Sequence, residues 1–296
     1  MNDTPRRIRI AHSPDADDAF MFWGLASGRV GAPGFVFEHV LKDIETLNQA
    51  ALRGEYEVTA VSIHAWPRIS DRYLLMPCGA SMGEGYGPVV VAKRKLANLR
   101  GKRVAIPGPL TSAALALQLW EPEAIPVALP FDRIGEAVLA GEVDAGVIIH
   151  EGQLTWQEEG LVKVVDLGEW WAESQDGLPL PLGGNAIRRD LGPETIQTVT
   201  RVVHESIALG LKERRPALDH ALSYARGLPR ERADRFVGMY VNDRTLDYGA
   251  DGREAIRRFL ALGQARGLVA PDARLDVVEL EPRRPQRPRV QSQVTA

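Results

Sequence analysis

Residues 8–28 read IRIAHSPDADDAFMFWGLASG. The first five, Ile8 to His12, read as a buried strand. Ser13 and Pro14 break the run, and Asp15, Asp17 and Asp18 lead into a predicted helix over 18–26, with Gly28 near its end. A strand that passes through a polar turn into a helix is a βα unit, and the same order recurs along residues 8–190. Such alternation predicts parallel strands joined by crossover helices.

Working outward, residues 35–40 read as a second strand and 44–53 as a helix capped by Asp43 and stopped by Gly54. Residues 57–63 and 74–77 are strand-like, and a passage with Gly79, Gly83, Gly85 and Gly87 closes on Pro88. Residues 89–92, all apolar, are taken as the strand on which the chain leaves the first lobe. A second α/β unit follows, with strands at 103–106, 127–129, 145–149 and 161–165 and helices at 111–120 and 134–140. The extended segment 178–185, Leu-Pro-Leu-Pro-Leu-Gly-Gly-Asn, returns the chain. Helical patterns then occupy 194–214, 217–225, 230–241 and 253–266. Two connections between two α/β lobes make a hinge and a cleft, the architecture of bilobal solute-binding proteins. The expectation is an α/β two-lobed fold: a large lobe from 1–92 and 187–280, a small lobe from 93–186, and a disordered Pro- and Arg-rich tail over 281–296.

Composition narrows the function. The chain has 296 residues, 45% hydrophobic and 25% charged, with a formal net charge of −3. That balance gives no basic field for nucleic acid. One cysteine, Cys78, excludes an intrachain disulfide and a multi-cysteine metal site. Arg6 and Arg7 are not followed by the apolar stretch of about 7–15 residues that an export signal needs, and no run reaches the roughly 20 apolar residues of a membrane helix. The expected location is the cytoplasm, without membrane partners.

The candidate chemistry sits at strand ends. His150 closes the apolar strand 145–149, and a polar residue at the carboxyl end of a parallel strand faces the crevice where ligands bind. An imidazole titrating near about 6.5 can take a proton at neutral pH. The competing reading is a histidine satisfied by backbone groups. Ser13 with Asp17 and Asp18, Ser62, and Thr111 with Ser112 stand at three other such ends. Hydroxyls opening a helix either hold an anion or serve as ordinary caps, and the aspartates either line a site or complement a helix dipole. Ser81 in the glycine-rich passage and Gly183, Gly184 and Asn185 at the returning segment complete the substrate-binding candidates. Trp170 and Trp171 read as a stacking platform or as core. His39, His204 and His220 lack metal-ligand spacing, so no metal is assigned.

Several segments in order resemble the 1,4-dihydroxy-6-naphthoate synthase family: Ser13-Pro14 with Asp18 and Phe20, the Lys-Asp-Ile-Glu-Thr-Leu-Asn of 42–48, the Gly-Pro-Val-Val-Val-Ala of 87–92, the Ile-Ile-His-Glu of 148–151, the Val-Asp-Leu-Gly of 165–168 with Trp170 and Trp171, and the Gly-Leu-Pro-Leu-Pro-Leu-Gly of 177–183. The resemblance spans residues 8–270. It implies a periplasmic-binding-protein type II-like fold without a transport role, and a lyase of menaquinone biosynthesis by the futalosine route. Its implied substrate is cyclic dehypoxanthine futalosine or a similar carboxylate, fragmented after proton abstraction, with no cofactor. His150 matches the family's base, and Ser62, Thr111 and Ser112 match its substrate-holding hydroxyls. Asp17 stands where the family carries an amide and Ala19 where it carries a hydroxyl. If this loop lines the cleft, that extra charge disfavours an anionic substrate unless it is paired. Two other readings compete: a non-catalytic small-molecule-binding protein of the same fold, and a chorismate dehydratase, against which the Ile-Ile-His-Glu motif argues.

Overall fold

A computed structural model describes residues 4–270 and 274–281. Six strands build the first sheet: β1 (Arg6–His12), β2 (Phe35–Leu41), β3 (Val58–Ser62), β4 (Tyr73–Leu75), β5 (Ser81–Gly83) and, much later in the chain, β11 (Leu180–Arg188). The second sheet comprises β6 (Val89–Ala92), β7 (Arg103–Ile106), β8 (Ile125–Ala128), β9 (Ala145–Ile148) and β10 (Val162–Asp166). The order is β2-β1-β3-β11-β4 in the first sheet, with β5 also on β11, and β10-β6-β9-β7-β8 in the second.

Strand direction departs from the expectation of wholly parallel sheets. β1 runs parallel to β2 and β3, and β7 runs parallel to β8 and β9. The strands that begin just after the chain changes sheets are antiparallel to their neighbours: β6 to β9 and β10, and β11 to β3, β4 and β5. A strand that enters from the opposite lobe has no crossover helix to turn it, so it runs against the strands it meets. Sheet membership also differs from the reading of the crossings. Val89 pairs with Ile148 and Asp166, so residues 89–92 belong to the second sheet, and the first sheet takes the chain back at Leu180.

Both sheets are covered on both faces, which is why their central strands read as apolar runs. Ile8 and Ile10 face Phe20, Val199 and Val203, whereas Ala11 faces Leu47 and Ala50 on the other side of β1. In the second sheet Val89, Val91 and Ala105 pack on Ile134 and Val138. Val90, Val104 and Val147 instead join a core that continues through Leu115 to Phe259 and Tyr248. The lobes are thus welded on one side, where the helix Ser112–Trp120 meets the helix Gly249–Ala265.

Local sequence sets the helix ends. Asp43 accepts from the Thr46 amide at 3.0 Å and starts Ile44–Leu52; Gly54 follows with φ +66°. A helix absent from the sequence reading, Leu167–Ser174, is capped by Asp166, which accepts from the Gly168 and Glu169 amides. It carries the tryptophan pair into the core: Trp171 is buried, packs edge-on against Phe259 and donates to the Pro179 carbonyl at 3.0 Å. The tail expected from residue 281 lies, from 282 onward, outside the described residues. Among the described residues no helix is long and apolar enough to cross a membrane.

Candidate active site between the two sheets

The carboxyl ends of β1, β3 and β9, the middle of β11 and the start of the helix Ser112–Trp120 surround a cavity. It holds about 810 Å³ free of protein atoms, part of it open to solvent. Five aliphatic hydroxyls line it: Ser13, Ser62, Ser81, Thr111 and Ser112. Asp15, Asp17 and Asp18 add three carboxyls, and Gln153, Asn185 and Tyr240 complete the polar wall. Met21, Ile44, Ile149, Leu182 and Phe236 supply apolar surface, and no lysine, arginine or histidine is among the lining residues. All ten substrate-binding candidates from the sequence, including Gly183 and Gly184, are brought together here.

Four of these hydroxyls, those of Ser13, Ser62, Thr111 and Ser112, also make bonds within the protein. Ser62 is held by Asn48, whose Oδ1 accepts from the Ser62 amide at 2.9 Å and whose Nδ2 donates to Ser62 Oγ at 3.0 Å. Thr111 caps its helix, accepting from the Ala114 amide at 3.2 Å and donating to the Gly108 carbonyl at 2.8 Å. Ser112 donates to the Leu182 carbonyl on β11 at 2.5 Å and accepts from the His64 amide at 3.2 Å. Capping and cavity lining therefore coincide at Thr111. Asn185 is different. Its Nδ2 is buried with no hydrogen-bond partner among the described residues, and a buried donor left unpaired is costly.

The aspartates do not act as helix caps. Asp15 occupies the cap position of Ala16–Met21 but makes no side-chain bond to that helix. It accepts from Ser13 Oγ at 2.8 Å and pairs with Arg226. Asp18 accepts from the Ser13 amide at 2.7 Å, yet burial still raises its carboxyl to about 7. Asp17 is pushed well above the usual carboxylate range, first by loss of water and then by the charges of Asp18, Asp15 and Glu151. Loss of water and three neighbouring carboxyls therefore favour the protonated form of Asp17. This answers the charge problem that the sequence posed.

His150 follows Ile149, which lines the cavity, but its own side chain is not part of the wall. Its Nδ1 accepts from the Gly152 amide at 2.9 Å, and its ring stands edge-on to Phe131 at 5.3 Å. That places the proton of the neutral ring on Nε2 and occupies the lone pair a base would use. Burial and the nearby Arg226 guanidinium hold its pKa below the usual value, against a backbone bond at Phe131. In this state His150 is satisfied by backbone groups, the competing reading set out for it above.

Sequence reasoning missed Asn48, Gln153, Tyr240 and Arg226. Asn48 carried a signal, since an amide in the second turn of a helix, between apolar neighbours, invites a partner. Tyr240, which donates to Gln153 at 2.6 Å on the cavity wall, carried none. Among the described residues no cluster of three or more His, Cys, Asp or Glu side chains could hold a metal ion.

Residues 8–265 match the family model described as menaquinone biosynthesis. A protein of Thermus thermophilus named 1,4-dihydroxy-6-naphthoate synthase is 43% identical over 267 residues, covering 90% of this chain and 97% of that one. A crystal structure of a protein from Archaeoglobus fulgidus is similar with a TM-score of 0.86 and 50% identity, over 89% of this chain and 98% of that one. The periplasmic aliphatic sulphonate-binding protein of Escherichia coli shares the fold, with a TM-score of 0.61 at 16% identity, over 98% and 100% of the two chains. The two-lobed fold is of the periplasmic-binding-protein type.

Proposed function

This chain belongs to the menaquinone-biosynthesis family, and from that premise we propose that it is a 1,4-dihydroxy-6-naphthoate synthase, a carbon–carbon lyase acting in the cytoplasm on cyclic dehypoxanthine futalosine. The observation that carries the substrate is the cavity wall: five aliphatic hydroxyls, an unpaired Asn185 amide donor and no cationic side chain. Such a wall suits a hydroxylated, sugar-derived ring better than a small inorganic anion, which would call for arginine or lysine. The positive dipole end at the start of Ser112–Trp120 favours a substrate carboxylate.

In the proposed reaction a base removes a proton from the sugar-derived ring, the ring fragments, and the naphthoate system becomes aromatic. His150 takes the proton after its ring leaves the Gly152 amide and turns to the cavity between Ile149 and Gln153. Its depressed pKa keeps it uncharged for that role at neutral pH. Asp17 lines the cavity with its carboxyl shifted toward the protonated form, in which it donates a hydrogen bond to a substrate oxygen. A second reading is favoured by the same wall: Asp18, which lines the cavity and titrates at about 7, is itself a competent base.

Incubation of the protein with cyclic dehypoxanthine futalosine, with His150→Ala and Asp18→Asn alongside, tests these readings. Dihydroxynaphthoate from the wild type and none from His150→Ala supports the first. Loss in Asp18→Asn with activity kept in His150→Ala supports the second. Tight binding without product in any form would make the chain a binding protein.

A further inference from the structure

Glu151 has no task in the reaction proposed above, yet it is the residue next to His150 and its side chain is only 3% exposed. A carboxylate buried that deeply needs a partner. The partner comes from the other lobe: Arg226 Nη1 donates to Glu151 Oε2, while Arg226 Nη2 donates to Asp15 Oδ1 at 2.5 Å. The other carboxylate oxygen, Glu151 Oε1, faces the Ala16 amide at 3.5 Å. The same guanidinium lies over the Phe131 ring at 5.2 Å, and Phe131 in turn stands edge-on to His150. Arg226 adopts φ +49°, a left-handed conformation that a non-glycine residue keeps only where its surroundings fix it. It does not line the cavity, so it does not meet a ligand there.

We propose that Arg226 is a positioning residue: from the first lobe it ties the turn that carries His150 to the loop that carries Asp15, and so fixes where the imidazole stands relative to the cavity. This rests on His150 being the base. Two bonds beside it, Arg232 to Glu158 at 2.8 Å and Tyr240 to Gln153 at 2.6 Å, also cross between the lobes, so the lobes remain joined when Arg226 is changed. Neither touches the His150–Glu151 pair. The fork of a guanidinium can span two carboxylates at once; an ammonium cannot. The charged groups acting on the imidazole are Arg226, Asp15 and Glu159, with Glu151 beside it in sequence, and Phe131 presents only ring and backbone. Removing the one cation of this set lets the ring protonate more readily.

The test uses the full chain with Arg226→Ala and Arg226→Lys, assayed on cyclic dehypoxanthine futalosine across pH. The His150 ring titration is followed by NMR in parallel and assigned with His150→Asn. In Arg226→Ala, kcat falls on the order of 10²-fold with KM little changed, as for a misplaced catalytic group. The acidic limb of the kcat profile and the ring titration both move up by about one pH unit. Arg226→Lys returns the titration toward wild type but restores only part of kcat. An unmoved titration overturns the proposal, whether kcat is unchanged or falls only in step with lost thermal stability. Because the ring titration is read without turnover, a wild type that makes no dihydroxynaphthoate would count against the proposed function alone.

Discussion

Replacing Asn48 by leucine separates what the fold contributes to Ser62 from what Ser62 contributes to the substrate. Asn48 is fully buried and makes two bonds to Ser62, taking its amide and giving to its hydroxyl. Leucine has a similar volume, so little cavity forms and the loss is polar. The orphaned Ser62 amide costs about 1–3 kcal/mol, and the hydroxyl bond contributes about 1 kcal/mol more. A total of about 2–4 kcal/mol lowers Tm by something on the order of 10 °C in a chain of this size. Ser62→Ala removes only the hydroxyl bond and costs about 1 kcal/mol, and the two changes together cost less than their sum because they share a partner. Urea unfolding of the two single variants and the double variant measures this, and KM for cyclic dehypoxanthine futalosine rises in both singles as the hydroxyl is lost or let loose. An Asn48→Leu protein as stable as wild type, or a strictly additive pair, would refute the reasoning.

Two further outcomes follow from burial. His12 stacks on Phe22 at 4.5 Å and bonds His39 at 3.0 Å, and burial, followed by the charge of His39, lowers its pKa to about 3. The folded value is depressed, so between about 6.5 and 3 the unfolded chain binds more protons; the stability is whole above about 6.5 and drains away as pH falls, to a ceiling of about 5 kcal/mol. Urea unfolding from pH 7 to 4 should therefore show a flatter pH dependence for His12→Phe than for wild type, and parallel curves would contradict it. Asp18 titrates at about 7 on the cavity wall, so binding of 1,4-dihydroxy-6-naphthoate should weaken as pH rises through 7 and the carboxylate forms. Calorimetric titration should show this step in wild type and its absence in Asp18→Asn.

The sequence carried the layers of the fold better than their direction. Apolar runs such as those of β1, β6 and β9 announce buried strands because both faces are covered. Nothing in the period of Val89–Ala92 or Leu180–Arg188 says whether a neighbour runs with or against it, and both proved antiparallel. The lobe that each strand joins was equally silent, since the pairing of Val89 with Ile148 is a contact across 59 positions. Strand-end polar residues located the cavity because a parallel sheet leaves only its carboxyl edge open. The orientation of the His150 ring was not legible. It depends on the Gly152 amide two residues on and on Phe131 from another element. Arg226 was invisible for the same reason: its partners, Asp15 and Glu151, come from both lobes and are distant in sequence.

The measurement that bears most directly on a cleft-borne lyase with a mobile histidine base is a crystal structure with 1,4-dihydroxy-6-naphthoate bound. The product is expected between the two sheets against Ser62, Thr111 and Ser112, with the His150 ring released from the Gly152 amide and turned toward it. Product seated outside this cavity, or a His150 Nδ1 still bound to Gly152 beside a correctly seated product, would contradict the account.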